Sequence, residues 1–121
     1  MQNANFKDPK MMRRKLPKKI IKILATTKEE LSALYPQRLK GIILYGSYAR
    51  GDYAKGSDVD LLLLLDNMDD PTAEMDRYTP SIYDLSLKYD TVVSVVPLDY
   101  ESYLYKKTPL ILNAQKEGMA L

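Results

Sequence analysis

Gly46-Ser47-Tyr48-Ala49-Arg50-Gly51-Asp52-Tyr53-Ala54-Lys55-Gly56-Ser57-Asp58-Val59-Asp60, continuing into the apolar run of residues 61–65, decides how this chain is read. Ahead of it lies a second apolar run, Gly41-Ile42-Ile43-Leu44-Tyr45. Both runs are shorter than the roughly ten to twelve residues expected of a helix and are bounded by Gly, Ser or Asp, so each reads as a buried strand. Side chains alternate along a strand, so Asp58 and Asp60 point one way and Val59 the other. Their Cα atoms then stand about 6 to 7 Å apart, which lets both carboxylates converge on one or two Mg²⁺ ions. Mg²⁺ takes oxygen ligands and is usually held by one or two carboxylates together with substrate phosphates. In a two-metal phosphoryl transfer one aspartate can bridge ions about 3.5 to 4 Å apart.

The Gly-Ser turn supplies the other half of such a site. Gly46 permits close backbone approach and a positive φ, and the residues after it are expected to open a short helix whose free N–H groups attract phosphate. Ser47 adds a hydroxyl, Arg50 and Lys55 can neutralise phosphate charge, and Ser57 completes the candidate nucleotide-binding set. Taken singly these signals are weak. An Asp-x-Asp ahead of an apolar strand is most often a solvated strand start, and Gly-Ser is ordinary turn material. Together, strand, Gly-Ser, ten residues, Asp-x-Asp and strand form a constrained pattern that reads as a nucleotide and metal site.

That pattern resembles the signature of the DNA polymerase β-like nucleotidyltransferase superfamily, and the small size resembles its minimal nucleotidyltransferase (MNT) branch. The closing Pro109-Leu110-Ile111-Leu112-Asn113-Ala114-Gln115-Lys116-Glu117-Gly118 is also similar to the way MNT domains end. The resemblance covers roughly residues 40–121. It implies an α+β fold, a palm-like small mixed sheet covered by helices. It also implies an enzyme that moves a nucleoside monophosphate, expected to be AMP from ATP, onto a hydroxyl with release of pyrophosphate. Such MNT proteins are often the antitoxin of a two-gene pair with a HEPN-family ribonuclease toxin, and some modify a tyrosine of that toxin with AMP. By position, the resemblance makes Asp58 and Asp60 the metal ligands of a two-metal Mg²⁺ site, and Gly46 and Ser47 the triphosphate cradle.

One departure from the family pattern bears on activity. Active members usually place a third carboxylate on a later strand, facing the first two. Here that strand is expected over residues 91–96 and contains no acid. Asp90, at its start, shares a face with Val92, Ser94 and Val96 by the period of two. Either Asp90 is the third catalytic carboxylate or the position is Ser94, and Asp99 lies beyond Pro97.

Composition narrows the remaining classes. The 121 residues suit one domain, long enough to bury roughly two-thirds of its extended-chain surface. With no Cys and no His there is no disulfide or thiolate metal site, and acid-base chemistry falls to carboxylates, Lys or Tyr. No apolar run approaches the roughly eighteen residues of a membrane helix, and no signal-peptide pattern follows the N-terminus, so a cytoplasmic protein is expected. Residues 1–22 hold eight Lys or Arg against Asp8, a local +7 set against −5 over the remainder. Residues 1–16 therefore read as a basic arm ahead of a domain over residues 17–121. The arm is either a solvated tail or a contact for nucleic acid or an acidic partner.

The rest reads as scaffold. Ile20, Leu24, Thr27, Leu31, Leu34 and Tyr35 recur at helical spacing from Pro17 and stop before Pro36. A second helix is expected after Asp70-Pro71, interrupted at Pro80 and restarting with Thr79 as N-cap and Ile82, Leu85 and Tyr89 on its buried face. Two short helices, near residues 99–106 and 109–117, precede Gly118 as terminator. Tyr100, Tyr103 and Tyr105 form either core or a contact surface. So little chain is left over that acceptor choice is expected to come from a protein partner or a second copy. Three functions stay open: the nucleotidyltransferase, an antitoxin acting by contact through a relic site, and a nucleic-acid module using the basic arm.

Overall fold

Residues 61–65 are buried on both sides of the sheet, and that burial sets the architecture. In the computed structural model, which describes residues 16–121, they lie in β2 (Val59–Leu65), between β1 (Leu39–Tyr45) and β3 (Val93–Asp99). β1 pairs antiparallel with β2, and β3 pairs parallel with it. A two-residue β4 (Met119–Ala120) closes the other side of β1, giving the order β3-β2-β1-β4. The mixed α+β sheet expected from the sequence is present. β4 is too short to leave a period in the sequence.

The alternation along β2 divides the molecule into two layers. Val59, Leu61, Leu63 and Leu65 face a core filled by Ile20, Ile23, Leu24 and Leu31 of α1 (Lys18–Leu34) and by Tyr78, Ile82 and Leu85 of α3 (Pro71–Tyr89). Leu62 and Leu64 face a smaller core with Ala114, Tyr100, Tyr103 and Leu110, from α4 (Tyr100–Tyr105) and α5 (Pro109–Glu117). Asp60 belongs to this second face by the same period. The fifth helix, α2 (Ser47–Arg50), is a single turn between β1 and β2.

Helix starts follow their local chemistry. Asp70 accepts from the Thr72 N–H at 3.0 Å, Asp99 from the Ser102 N–H at 3.2 Å, and Thr108 from the Ile111 N–H at 3.3 Å, each satisfying a free donor of the first turn. Gly118 follows α5 with φ −72, so it is not needed for a left-handed cap. Its requirement is space: a Cβ there would collide with the Ala114 carbonyl and stand 2.6 Å from Ile43 Cγ2. Tyr100 and Tyr103 pack into the second core, whereas Tyr105 is exposed.

Two expectations from the sequence are corrected. The helix after Asp70 does not restart at Thr79 but runs unbroken through Pro80 to Tyr89. Pro80 is solvent-facing, while Tyr78, Ile82 and Leu85 hold the opposite face against the sheet, and that packing outweighs one missing backbone donor. The third strand begins at Val93 rather than residue 91 and continues through Pro97 to Asp99, which an edge strand tolerates. Asp90 consequently ends α3 in a left-handed conformation, φ 49 and ψ 48, outside the alternation of β3.

The expected basic arm, residues 1–16, lies outside the described residues except for Leu16, which is buried in the larger core. Among the described residues no helix is long and apolar enough to cross a membrane. Replacing Pro80 with Ala restores a helix donor on an exposed face. Urea unfolding is expected to show a gain on the order of 1 kcal/mol; a loss would mean that the proline shapes how α3 docks.

Candidate active site

β1 ends at Tyr45, directly opposite Asp60 in the antiparallel register. The chain then turns at Gly46, with φ 79 and ψ −156, into α2. A side chain at Gly46 is excluded twice. Its φ is one that L residues rarely adopt, and a Cβ would stand 2.5 Å from Asp60 Oδ2. The Gly-Ser turn therefore packs its backbone directly against the second aspartate. Tyr48 and Ala49 anchor the turn in the core, and the Tyr48 and Tyr53 rings stack with centroids 4.6 Å apart.

The loop returning to β2 is shaped by two more glycines of positive φ, Gly51 and Gly56. The Ala54 N–H donates to Ser57 Oγ at 2.9 Å, and the Ser57 N–H to the Ala54 carbonyl at 3.1 Å. Asp58 follows in the open and Asp60 is half-buried. Burial first, and the neighbouring Asp58 carboxylate second, push the Asp60 carboxyl above its ordinary range, against a smaller opposing pull from Arg50. Burial and then Asp60 likewise raise the Tyr45 phenol.

These groups line one open cleft of about 430 Å³. Gly46, Ser47, Arg50, Ser57, Asp58 and Asp60 all face it, as six of the residues singled out from the sequence. Lys55 is exposed and does not line it. Asp90 does not line it either, but contributes to a neighbouring cleft with Tyr48, Gly56, Ser57, Tyr83 and Val92. Of the two candidates for the third-acid position, it is Ser94 that pairs with Asp60 across the parallel β2–β3 ladder.

Four lining residues escaped the sequence reading: Tyr45, Leu110, Asn113 and Glu117. Leu110, Asn113 and Glu117 follow the i, i+3, i+7 spacing of one helix face, a signal present in the sequence but read as scaffold. Glu117 is the most engaged. Its Oε1 accepts from Arg50 Nη1 at 3.1 Å and from the Gly46 N–H at 3.4 Å. Arg50 is also held by Asp52, Nε to Oδ2 at 3.2 Å.

Two carboxylates with water access suit a hard divalent cation that completes its shell from phosphate and water. Among the described residues no group of three or more His, Cys, Asp or Glu side chains is placed to hold an ion by protein ligands alone. The burial of Asp60, with the Asp58 carboxylate near it, carries a stability consequence. An acid whose folded pKa is raised destabilises the fold wherever it is ionised, and the effect disappears below the unfolded pKa of about 3.9. Asp60→Asn is thus expected to melt at a higher temperature than the parent at pH 7. The gap should narrow as the pH approaches that value; a variant melting lower at pH 7 would refute the account.

Residues 24–117 match the nucleotidyltransferase domain family. The chain is 40% identical over 90 residues to a Methanocaldococcus jannaschii protein provisionally named as a protein adenylyltransferase, covering 74% of this chain and 82% of that one. In fold it is similar to a provisionally assigned nucleotidyltransferase from Sulfolobus solfataricus, with TM-score 0.58 and 18% identity over 98% of this chain and 90% of that one. It is also similar to a toxin–antitoxin protein crystallised with AMP-PNP, with TM-score 0.53 and 22% identity over 76% of this chain and 69% of that one. The chain belongs to the nucleotidyltransferase domain family and is a nucleotidyl-transferring enzyme.

Proposed function

We propose that this enzyme transfers AMP from ATP, with Mg²⁺, to a hydroxyl of a partner protein, as the antitoxin of a pair with a HEPN-family toxin. The observation that carries the reading is the contact of the Gly46 turn with Asp60 inside a cleft that also holds Ser47, Arg50, Ser57 and Asp58. The name of the M. jannaschii relative supports AMP and a protein acceptor. The AMP-PNP and toxin–antitoxin context of the structural neighbour is in keeping with an adenine nucleotide and a protein partner.

In this reading the Gly46 N–H, the Ser47 hydroxyl and the Arg50 guanidinium bind the triphosphate. Asp58 and Asp60 hold Mg²⁺, which when bound neutralises phosphate charge and stabilises the attacking and leaving oxygens. The acceptor oxygen attacks the α-phosphorus, the bond to the bridging oxygen of the β-phosphate breaks, and pyrophosphate leaves. In this reading Ser94, which pairs with Asp60 across the parallel ladder, brings no carboxylate to the acceptor, and the acceptor proton passes to water in the open cleft. Asp90, at the end of α3, belongs to the fold rather than to the reaction.

The same Ser94 observation favours a second reading, in which the chain neutralises its partner by contact and turns over poorly. Incubation of the chain with α-labelled ATP, Mg²⁺ and the protein that co-purifies with it from its native cell separates the two. Label is expected on the partner, with Asp58→Asn or Asp60→Asn reducing it by at least about 100-fold and Asp90→Asn leaving it within about twofold. An unlabelled partner that the Asp58→Asn, Asp60→Asn double variant still neutralises would decide for contact. No protein in fixed ratio on co-purification would count against either form of partnership.

A further inference from the structure

Glu117 is the last residue of α5, yet its carboxylate lies in the cleft on the side of the Gly46 turn. One oxygen accepts from two donors on different sides of it, Arg50 Nη1 at 3.1 Å and the Gly46 N–H at 3.4 Å. Four-fifths of the side chain is withdrawn from solvent. These donors are the ones the proposed function gives to the triphosphate. An acid at this end of a helix is locally unfavourable, because the backbone carbonyls there already carry partial negative charge. Helix chemistry therefore does not account for a carboxylate at this position, whereas an anion-binding cleft does.

We propose that Glu117 is a resident anion in the triphosphate subsite, so that a nucleotide enters by displacing its carboxylate. The inference rests on the nucleotide reading of the cleft and adds to it a competitor that sets its affinity. Displacement needs only the side chain to move. The backbone next to Glu117 is fixed by the Gly118 N–H donating to the Ala114 carbonyl at 2.8 Å, by the close approach of Gly118 to Ile43, and by the pairing of β4 with β1. Arg50 stays in place when Glu117 leaves, because Asp52 grips the guanidinium independently. The arriving phosphate therefore meets both donors still aimed into the cleft. Until it arrives, the carboxylate satisfies the Gly46 N–H and part of the Arg50 charge. The occupied cleft then holds Asp58, Asp60 and Glu117 around one lining cation, Arg50, and withdrawal of Glu117 takes away the carboxylate that faces Arg50.

Glu117→Gln is the informative variant, since it keeps an acceptor oxygen of the same reach while an uncharged amide replaces the carboxylate. Binding of AMP-PNP with Mg²⁺, and separately of inorganic triphosphate with Mg²⁺, is measured by calorimetry on the full chain. A neutral acceptor holds Arg50 less tightly than a carboxylate, so both ligands are expected to bind the variant about three- to tenfold more tightly than the parent. Adenosine, which carries no phosphate, is expected to show no gain. Glu117→Ala, which removes the competitor altogether, is expected to move both constants in the same direction, guarding against a peculiarity of the glutamine. Equal or weaker binding of triphosphate by both variants, with a parent that binds, would overturn the competitor and make Glu117 a clamp for Arg50. If neither parent nor variants bind AMP-PNP or triphosphate, the nucleotide reading of the cleft falls, and this inference with it.

Discussion

The antiparallel register of β1 on β2 is the constraint from which the site follows. Tyr45 sits opposite Asp60, so the residue after Tyr45 leaves the sheet beside that aspartate, and only glycine fits against Oδ2. A slip of one residue would send Asp60 to the face covered by α1 and α3 and bring a leucine to the cleft. The register is protected by the polar residue at the head of β2 rather than by its leucines. Leu61, Leu63 and Leu65 fill one core while Leu62 and Leu64 fill the other, so both layers accept the leucines and it is Asp60, which a slip would carry into the larger core, that makes a shifted pairing costly.

The same arrangement explains why the cleft opens where it does. α1 and α3 cover the whole length of one face, whereas α4 and α5 are short and cover the other only around Leu62 and Leu64. Asp60 lies on this second face, beyond the reach of those apolar contacts. The wall on that side is supplied by Leu110, Asn113 and Glu117 of α5, a helix placed by the Thr108 cap at one end and by β4 at the other. Because β3 is an edge strand, the Ser94 side of Asp60 is bordered by no further strand among the described residues.

What could be read in the sequence is what local patterns encode. The periods of α1 and β2, the cap ahead of Pro71, and the pairing of a glycine turn with Asp58 and Asp60 all depend on residues close together in the chain. Pro80 misled because the gain from docking Tyr78, Ile82 and Leu85 is tertiary and invisible to helix propensity. The strand bounds were less legible: the sequence extends alternation two residues too far, to Asp90, which instead caps α3 in a left-handed conformation and lines a neighbouring cleft. Glu117 stands seventy-one residues from Gly46, and nothing local announces their contact. Its helical spacing with Leu110 and Asn113 was legible; that this face borders the cleft depends on how the sheet is closed.

Two departures from locally favourable chemistry meet in this one cleft, next to a glycine turn. Gly46 adopts a positive φ, Asp60 is held half-buried beside a second carboxylate, and an acid ends α5 where a cation would be favoured. The two acids each weaken the fold taken alone, whereas glycine adopts the positive φ readily. Conflicts of this kind are expected where function rather than folding sets the residue. In the proposed function they would offset one another once substrate is considered: a cation would relieve Asp60 and Asp58, a phosphate would take the donors at Gly46 and Arg50, and Glu117 would be released. In that reading the strain of the free enzyme is of the same chemical kind as the ligand that would remove it.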